Sequence, residues 1–208
     1  MIATGESSHV AIAPELPDDE SIGQTLSAFA NTRGGWLLIG AVPEGEVIGS
    51  RDCSGDMSRI RLVAEEDLKP ALGIELNTVR VGKANVITVH VNTSDNRPHS
   101  MPAGKKGRAE IFVRVGETNE LADGATLNAL RSHRVVSRPK SAFEEKILEW
   151  VAAQESDGQN ADGGVSPADF SQAANVGERR ANKAFIQLET NGLLIGHGER
   201  GRRFYALP

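Results

Sequence analysis

The apolar positions between residues 19 and 40 change period at a glycine pair. Ile22, Leu26, Phe29 and Ala30 fall at i, i+4, i+7 and i+8, which is one face of a helix. Gly34-Gly35 supplies the left-handed backbone that ends it. Trp36 to Ile39 is then an apolar run too short for a helix, and it reads as a strand covered on both faces. Asp18, after Pro17, is the helix cap, with Asp19 and Glu20 where the helix dipole favours them. Upstream, His9 to Ala13 alternates weakly and predicts a strand. Residues 56–69 predict a second helix, with Ile60, Val63 and Ala64 inward and Pro70 ending it. Gly73 to Val81 alternates imperfectly at Ile74, Leu76, Val79 and Val81, suggesting a half-buried strand. Asn85–Asn92 and Glu110–Val115 are further strands, separated by a long polar loop from Thr93 to Arg108. Residues 123–134 predict a short closing helix. Strands then helices in this order predict an α+β sandwich.

The rhythm changes after Ser137-Arg138-Pro139-Lys140-Ser141, which reads as a linker. Phe143, Ile147, Trp150 and Val151 make a helical stripe. A mobile loop is expected from Ser156 to Gly164. Ser166-Pro167-Ala168-Asp169 is a helix start, with Val165 and Phe170 placed as a hydrophobic staple. A third helix is expected over Glu178–Asn191. Leu193–Ile195 and Arg203–Ala206 then predict two short strands around Gly196 to Gly201. Three helices and a glycine-tipped hairpin resemble the winged helix-turn-helix module. The expected division is therefore residues 1–137 and 138–208.

The first region carries a second resemblance. "SAFANTRGG" followed by "LLIG", then Gly45 and "VIGS", resembles the Schlafen-type AlbA-like domain (AlbA_2, also called divergent AAA-type) of prokaryotic transcriptional regulators. Glu6-Ser7, Pro70, the strand Val86–Val91, Asn96-Arg97-Pro98-His99, and Phe112–Gly116 followed by Thr118 stand in the family's order. The similarity covers roughly residues 5–120. Together the two resemblances imply an AlbA-like/Schlafen-type α/β sandwich plus a C-terminal winged helix-turn-helix.

Composition narrows the partners. The chain has 208 residues, 39% hydrophobic and only 4% aromatic, so its core must be mostly aliphatic. A net charge of -5 means that any nucleic-acid binding comes from local basic patches. One cysteine, Cys53, permits no intrachain disulfide and fits a reducing cytoplasm. The N-terminus has no basic-then-apolar leader, and no apolar run approaches a membrane span.

Candidate chemistry concentrates in the second region. On the third helix, Ala181, Phe185 and Leu188 share one side, which puts Arg179, Lys183 and Gln187 opposite and Arg180 and Asn182 beside them. Cations suit phosphates, and Arg, Asn and Gln suit base edges. Arg200, Arg202 and Arg203 add charge at the hairpin. Residues 138–208 hold nine Lys/Arg against ten Asp/Glu, but six of the nine lie on the third helix and the hairpin. That segregation predicts double-stranded DNA as partner over an ordinary solvated face, with RNA a second possibility and no membrane. Ile186 also points outward, toward a partner contact. Winged modules commonly act in pairs, so a homo-oligomer is expected.

In the first region, Lys105, Lys106 and Arg108 occupy the long loop, and Arg114 the following strand. Two readings stand: phosphate contacts, or a solvated tip with Arg114 paired to an acid such as Glu6. Some Schlafen relatives are nucleases with three acids in one cleft. Here Glu6 matches the first acid, Ala11 stands at the second, Val42-Pro43 at the third, and Ala13 where a lysine is usual. Glu15 and Glu44 lie off register. The resemblance thus implies no catalytic residues and no metal; a divergent metal-dependent nuclease and a protein-interaction adaptor remain the alternatives. No cofactor is expected: Gly104-Lys105-Lys106-Gly107 lacks the P-loop pattern. His9, His90, His99, His133 and His197 show no metal-ligand spacing, and Cys53 has no CxxC partner.

Overall fold

The computed structural model describes residues 5–103, 108–132, 139–156, 164–197 and 203–207. The chain forms two compact units, Met1–Leu121 and Ala122–Pro208.

The first unit is built on a four-stranded sheet. Strand β1 (Val10–Ala13) leads through helix α1 (Asp19–Asn31) to strand β2 (Gly35–Ile39). Helix α2 (Cys53–Leu62) ends in a π turn over Val63–Asp67, and strands β3 (Glu75–Val81) and β4 (Ala84–Val91) follow. The order across the sheet is β1-β2-β4-β3. The β1–β2 pair is parallel and the other two are antiparallel. The expected start of α1 is present: the Asp18 carboxylate accepts the Ser21 N–H at 2.7 Å. Its expected stop is present too. Gly34 holds φ +72° and donates its N–H to the Phe29 carbonyl. A Cβ there would meet the Val91 carbonyl oxygen at 2.5 Å, so position 34 needs glycine on both counts.

Alternation then sorts the side chains between two cores. Ala11, Leu37, Ile39, Ile87, Val89 and Val91 face α1 and α2, where they meet Ile22, Leu26, Phe29, Ile60 and Val63. Each large apolar side chain buried this way contributes about 1.5–3 kcal/mol. The opposite face carries Val10, Ile12, Leu38 and Val86, with Ala41 completing the cluster and Trp36 and Val47 packed against it. The imperfect pattern in β3 now has a cause. Leu76 pairs with Val89 and joins the first core, whereas Val79 pairs with Val86 on the other face. Val79 and Val81 are left exposed there.

The segment expected to be a polar loop contains β5 (Met101–Ala103) paired with β6 (Arg108–Glu110). Strand β7 (Phe112–Val115) and β8 (Thr118–Leu121) make a hairpin against α1. Asn119 donates to the Thr25 hydroxyl at 2.9 Å across that contact. Buried Asn31 ties the same region together. Its amide donates to the carbonyls of His99 and Phe112 and accepts from the His99 N–H.

The second unit comprises α3 (Gly124–Ser132), α4 (Ala142–Ser156), α5 (Pro167–Ala174), α6 (Glu178–Thr190) and the antiparallel pair β9 (Ile195–His197) and β10 (Phe204–Ala206). Helix α3, expected to close the first region, packs on α6 and β9, so the units divide at 121/122 rather than near 138. The Ser166–Asp169 capping box is present in full. Val165 and Phe170 both enter the core with Ile147, Val151, Ala181, Phe185, Leu188, Leu194 and Tyr205. Phe170 sits at its centre, edge-on to Phe143, Trp150 and Phe185. The linker's residues 137–138 and the expected mobile loop's residues 157–163 lie outside the described residues. Among the described residues, no helix is long and apolar enough to cross a membrane.

Candidate nucleic-acid interface

Helix α5 ends at Asn175, whose left-handed backbone (φ 50°, ψ 50°) turns the chain. Gly177 then caps α6, and Glu178 lies in its first turn. Ala181, Phe185 and Leu188 are fully buried, which fixes the rotation of α6. Arg179, Arg180, Asn182, Lys183 and Gln187 are consequently exposed, as the period predicts. Ile186 stands among them, 56% exposed. Arg180 lays its guanidinium over the Phe143 ring, 4.2 Å from the centroid. The helix thus presents two cations, an amide pair and one apolar side chain, with a third cation tethered at its edge.

Two of the candidate arginines have other duties. Arg203, immediately before β10, is enclosed by carboxylates. It is ion-paired with Asp123 and Glu189 and donates to the Gly196 carbonyl at 3.3 Å. Burial pushes the Asp123 carboxyl up, but the Arg203 hydrogen bonds and the Thr126 N–H more than offset it and hold it at about 2. The Tyr205 phenol is pushed up to about 12 by burial and by the nearby Glu189 charge. Arg203 is therefore a structural anchor for the strand pair rather than a phosphate contact. Its partners lie 80 and 14 residues away, which is why the sequence shows only an unopposed charge.

Arg114 is corrected in the same way. It is only 5% exposed and donates to the Ser7 carbonyl (3.1 Å), the Val10 carbonyl (3.1 Å) and the Asn119 side chain (3.0 Å). Burial lowers its pKa, which the Glu6 and Glu117 charges partly oppose. Its guanidinium also lies over the Phe29 ring. A side chain so enclosed closes β7 onto the N-terminal segment and cannot reach a phosphate. Arg108 starts β6. Lys105, Lys106, Arg200 and Arg202 lie outside the described residues.

The carboxylate expected to survive from a nuclease site is also engaged. Glu6 accepts the Ile12 N–H at 3.0 Å. With Ala11 and Val42-Pro43 at the other two positions, the donor set does not fit a three-carboxylate metal site.

A family profile described as Schlafen, AlbA_2 matches residues 6–123, more than half of the chain. The chain belongs to the Schlafen AlbA_2 family. Its first unit is that domain, with the βαβ sheet and the β7–β8 hairpin as its frame. No curated protein matches the chain. Among solved structures, it is similar to the N-terminal domain of a RecG-related protein from Nitrosomonas europaea. That match has 22% identity over 55% of this chain and 83% of that one, with a TM-score of 0.41. It is also similar to the DIP2311 protein from Corynebacterium diphtheriae, at 18% identity and a TM-score of 0.45. There it covers 64% of this chain and 28% of the other.

Proposed function

We propose that this AlbA_2-family protein is a DNA-binding transcriptional regulator. In this reading, residues 138–208 act as a winged helix-turn-helix, α6 is laid into a groove of duplex DNA, and the β9–β10 hairpin is the wing. The AlbA_2 domain oligomerises or adds nucleic-acid contacts, and the functional form is a homo-oligomer. One observation carries the proposal. The buried stripe Ala181–Phe185–Leu188 forces Arg179, Asn182, Lys183 and Gln187 out to solvent on the helix that follows the α5–α6 turn. Phosphate-pairing and base-reading groups thereby share one exposed face. The protein binds rather than cleaves, because Glu6 is spent on the Ile12 N–H and its two would-be partners are not acids.

The test is fluorescence anisotropy of the full chain on random duplex DNA across a salt series. Wild-type affinity falls steeply with salt. Arg179→Ala with Lys183→Ala lowers affinity and flattens the log–log salt slope by about 2, roughly 0.9 for each phosphate that is no longer neutralised. Unchanged affinity and slope in that double variant, with the far-UV spectrum intact, removes α6 as the reader.

A further inference from the structure

Where β2 begins and β4 ends, the first unit has an open cleft of about 420 Å³, whose lining includes His9, Arg33, Trp36, His90, Asn92 and Thr93. Trp36 and His90 are direct cross-strand partners on the face away from α1. Their rings stack with centroids 4.2 Å apart and planes 23° from parallel. Glu75, opposite His90 on β3, holds its carboxylate 3.5 Å from His90 Nδ1. The imidazole is thus fixed between an indole and a carboxylate. Below the pair, Val10, Ile12, Leu38 and Val86 form a closed apolar base.

Packing alone accounts for a ring pair sealed inside a core. Here both rings are half-buried and a cleft opens on them. The rest of the wall supplies a guanidinium from Arg33, an amide from Asn92 and a hydroxyl from Thr93, the latter two exposed. A flat π surface beside a cation and neutral hydrogen-bonding groups is complementary to a nucleobase and its phosphate. The volume lies in the roughly 300–1,000 Å³ range of small-ligand pockets, which suits one nucleotide and is far too small for a duplex.

We propose that this cleft is a nucleotide-binding site, in which the Trp36–His90 pair stacks a nucleobase and Arg33 contacts its phosphate. The base comes from single-stranded nucleic acid or from a free nucleotide. The site is independent of α6, so duplex reading stands or falls separately.

The test uses the full chain carrying Trp150→Phe, which leaves Trp36 as the only tryptophan of the two. Arg179→Ala and Lys183→Ala are added so that binding through α6 does not contribute. Trp36 emission is titrated with a 12-nucleotide oligo(dA) and, separately, with AMP. Saturable quenching that His90→Ala weakens about 5- to 150-fold is expected, since one base–aromatic stack is worth about that factor. Quenching by both probes identifies the free nucleotide as sufficient, and quenching by oligo(dA) alone identifies the strand. Arg33→Ala, with its far-UV spectrum compared to wild type, decides the question where His90→Ala perturbs the sheet, and is expected to weaken the same quenching. Absence of quenching by either probe at millimolar concentration overturns the site, as does quenching with equal affinity in both variants.

Discussion

Replacing Arg203 by alanine separates a structural cation from a DNA-contacting one. Arg203 neutralises Glu189, whose side chain is 6% exposed, and Asp123, whose side chain is 38% exposed. Removing it strands one deeply buried carboxylate, and breaking a buried pair from one side costs about 3–5 kcal/mol. The Asp123 pair is partly screened by solvent and adds less than about 1 kcal/mol. Arg203 is itself 23% exposed, so the lower end, about 3 kcal/mol, is the expected loss. For a unit the size of Ala122–Pro208, that lowers Tm by roughly 12–24 °C. Trp150, packed against the core of this unit, gives the readout in thermal melts of a Trp36→Phe background. Adding Glu189→Gln to Arg203→Ala removes the stranded charge and recovers part of the loss. Arg179→Ala with Lys183→Ala leaves Tm within about 2 °C of the parent, because those are exposed side chains. A normal Tm for Arg203→Ala combined with lost DNA affinity refutes this account of the arginine.

Two further outcomes follow from the same reasoning. Asp123 has its carboxyl lowered from 3.8 to about 2, so the stability it contributes is complete above pH 3.8 and is lost as pH falls through 2; Asp123→Asn should flatten the acid limb of the second unit's pH–stability curve over that window, as read by Trp150 fluorescence. Arg114→Ala, which orphans the Ser7 and Val10 carbonyls, should destabilise the first unit by about 3 kcal/mol in urea melts followed at Trp36, yet leave the salt slope of DNA binding unchanged.

What the chain discloses before folding is what its neighbours in sequence decide. The limits of α1 and α5 rest on Asp18, the Gly34 turn and the Ser166–Asp169 box, all within a few residues of the helix they bound. The exposed face of α6 follows from Ala181, Phe185 and Leu188 by period alone. Position 203 is different. Its charge is visible in the sequence, but its two carboxylates come from the start of α3 and the end of α6, and only the folded unit brings them together. Arg114 resembles it, being answered by backbone oxygens more than 100 residues upstream. Helix α3 follows the same logic: its amphipathic pattern shows that it packs, whereas its partners, α6 and β9, are set by tertiary contact.

The Trp36–His90 pair belongs to this second kind. Each residue read separately is one position in a buried strand, and nothing local links two residues so far apart in the sequence. The β2–β4 register makes them partners, and the positions around Arg33 and Asn92, where the strands give way to turns, leave the pair uncovered at that end. Basic patches declare themselves in a sequence because charge is a property of single residues. A stacking platform depends on the pairing of two strands and becomes visible only when the sheet has formed. An acidic chain whose basic residues serve in part as anchors at positions 114 and 203 therefore has its candidate nucleic-acid chemistry in two places of different origin. One is the exposed face of α6, set by helical period, and the other is the cleft beside β2, set by strand register.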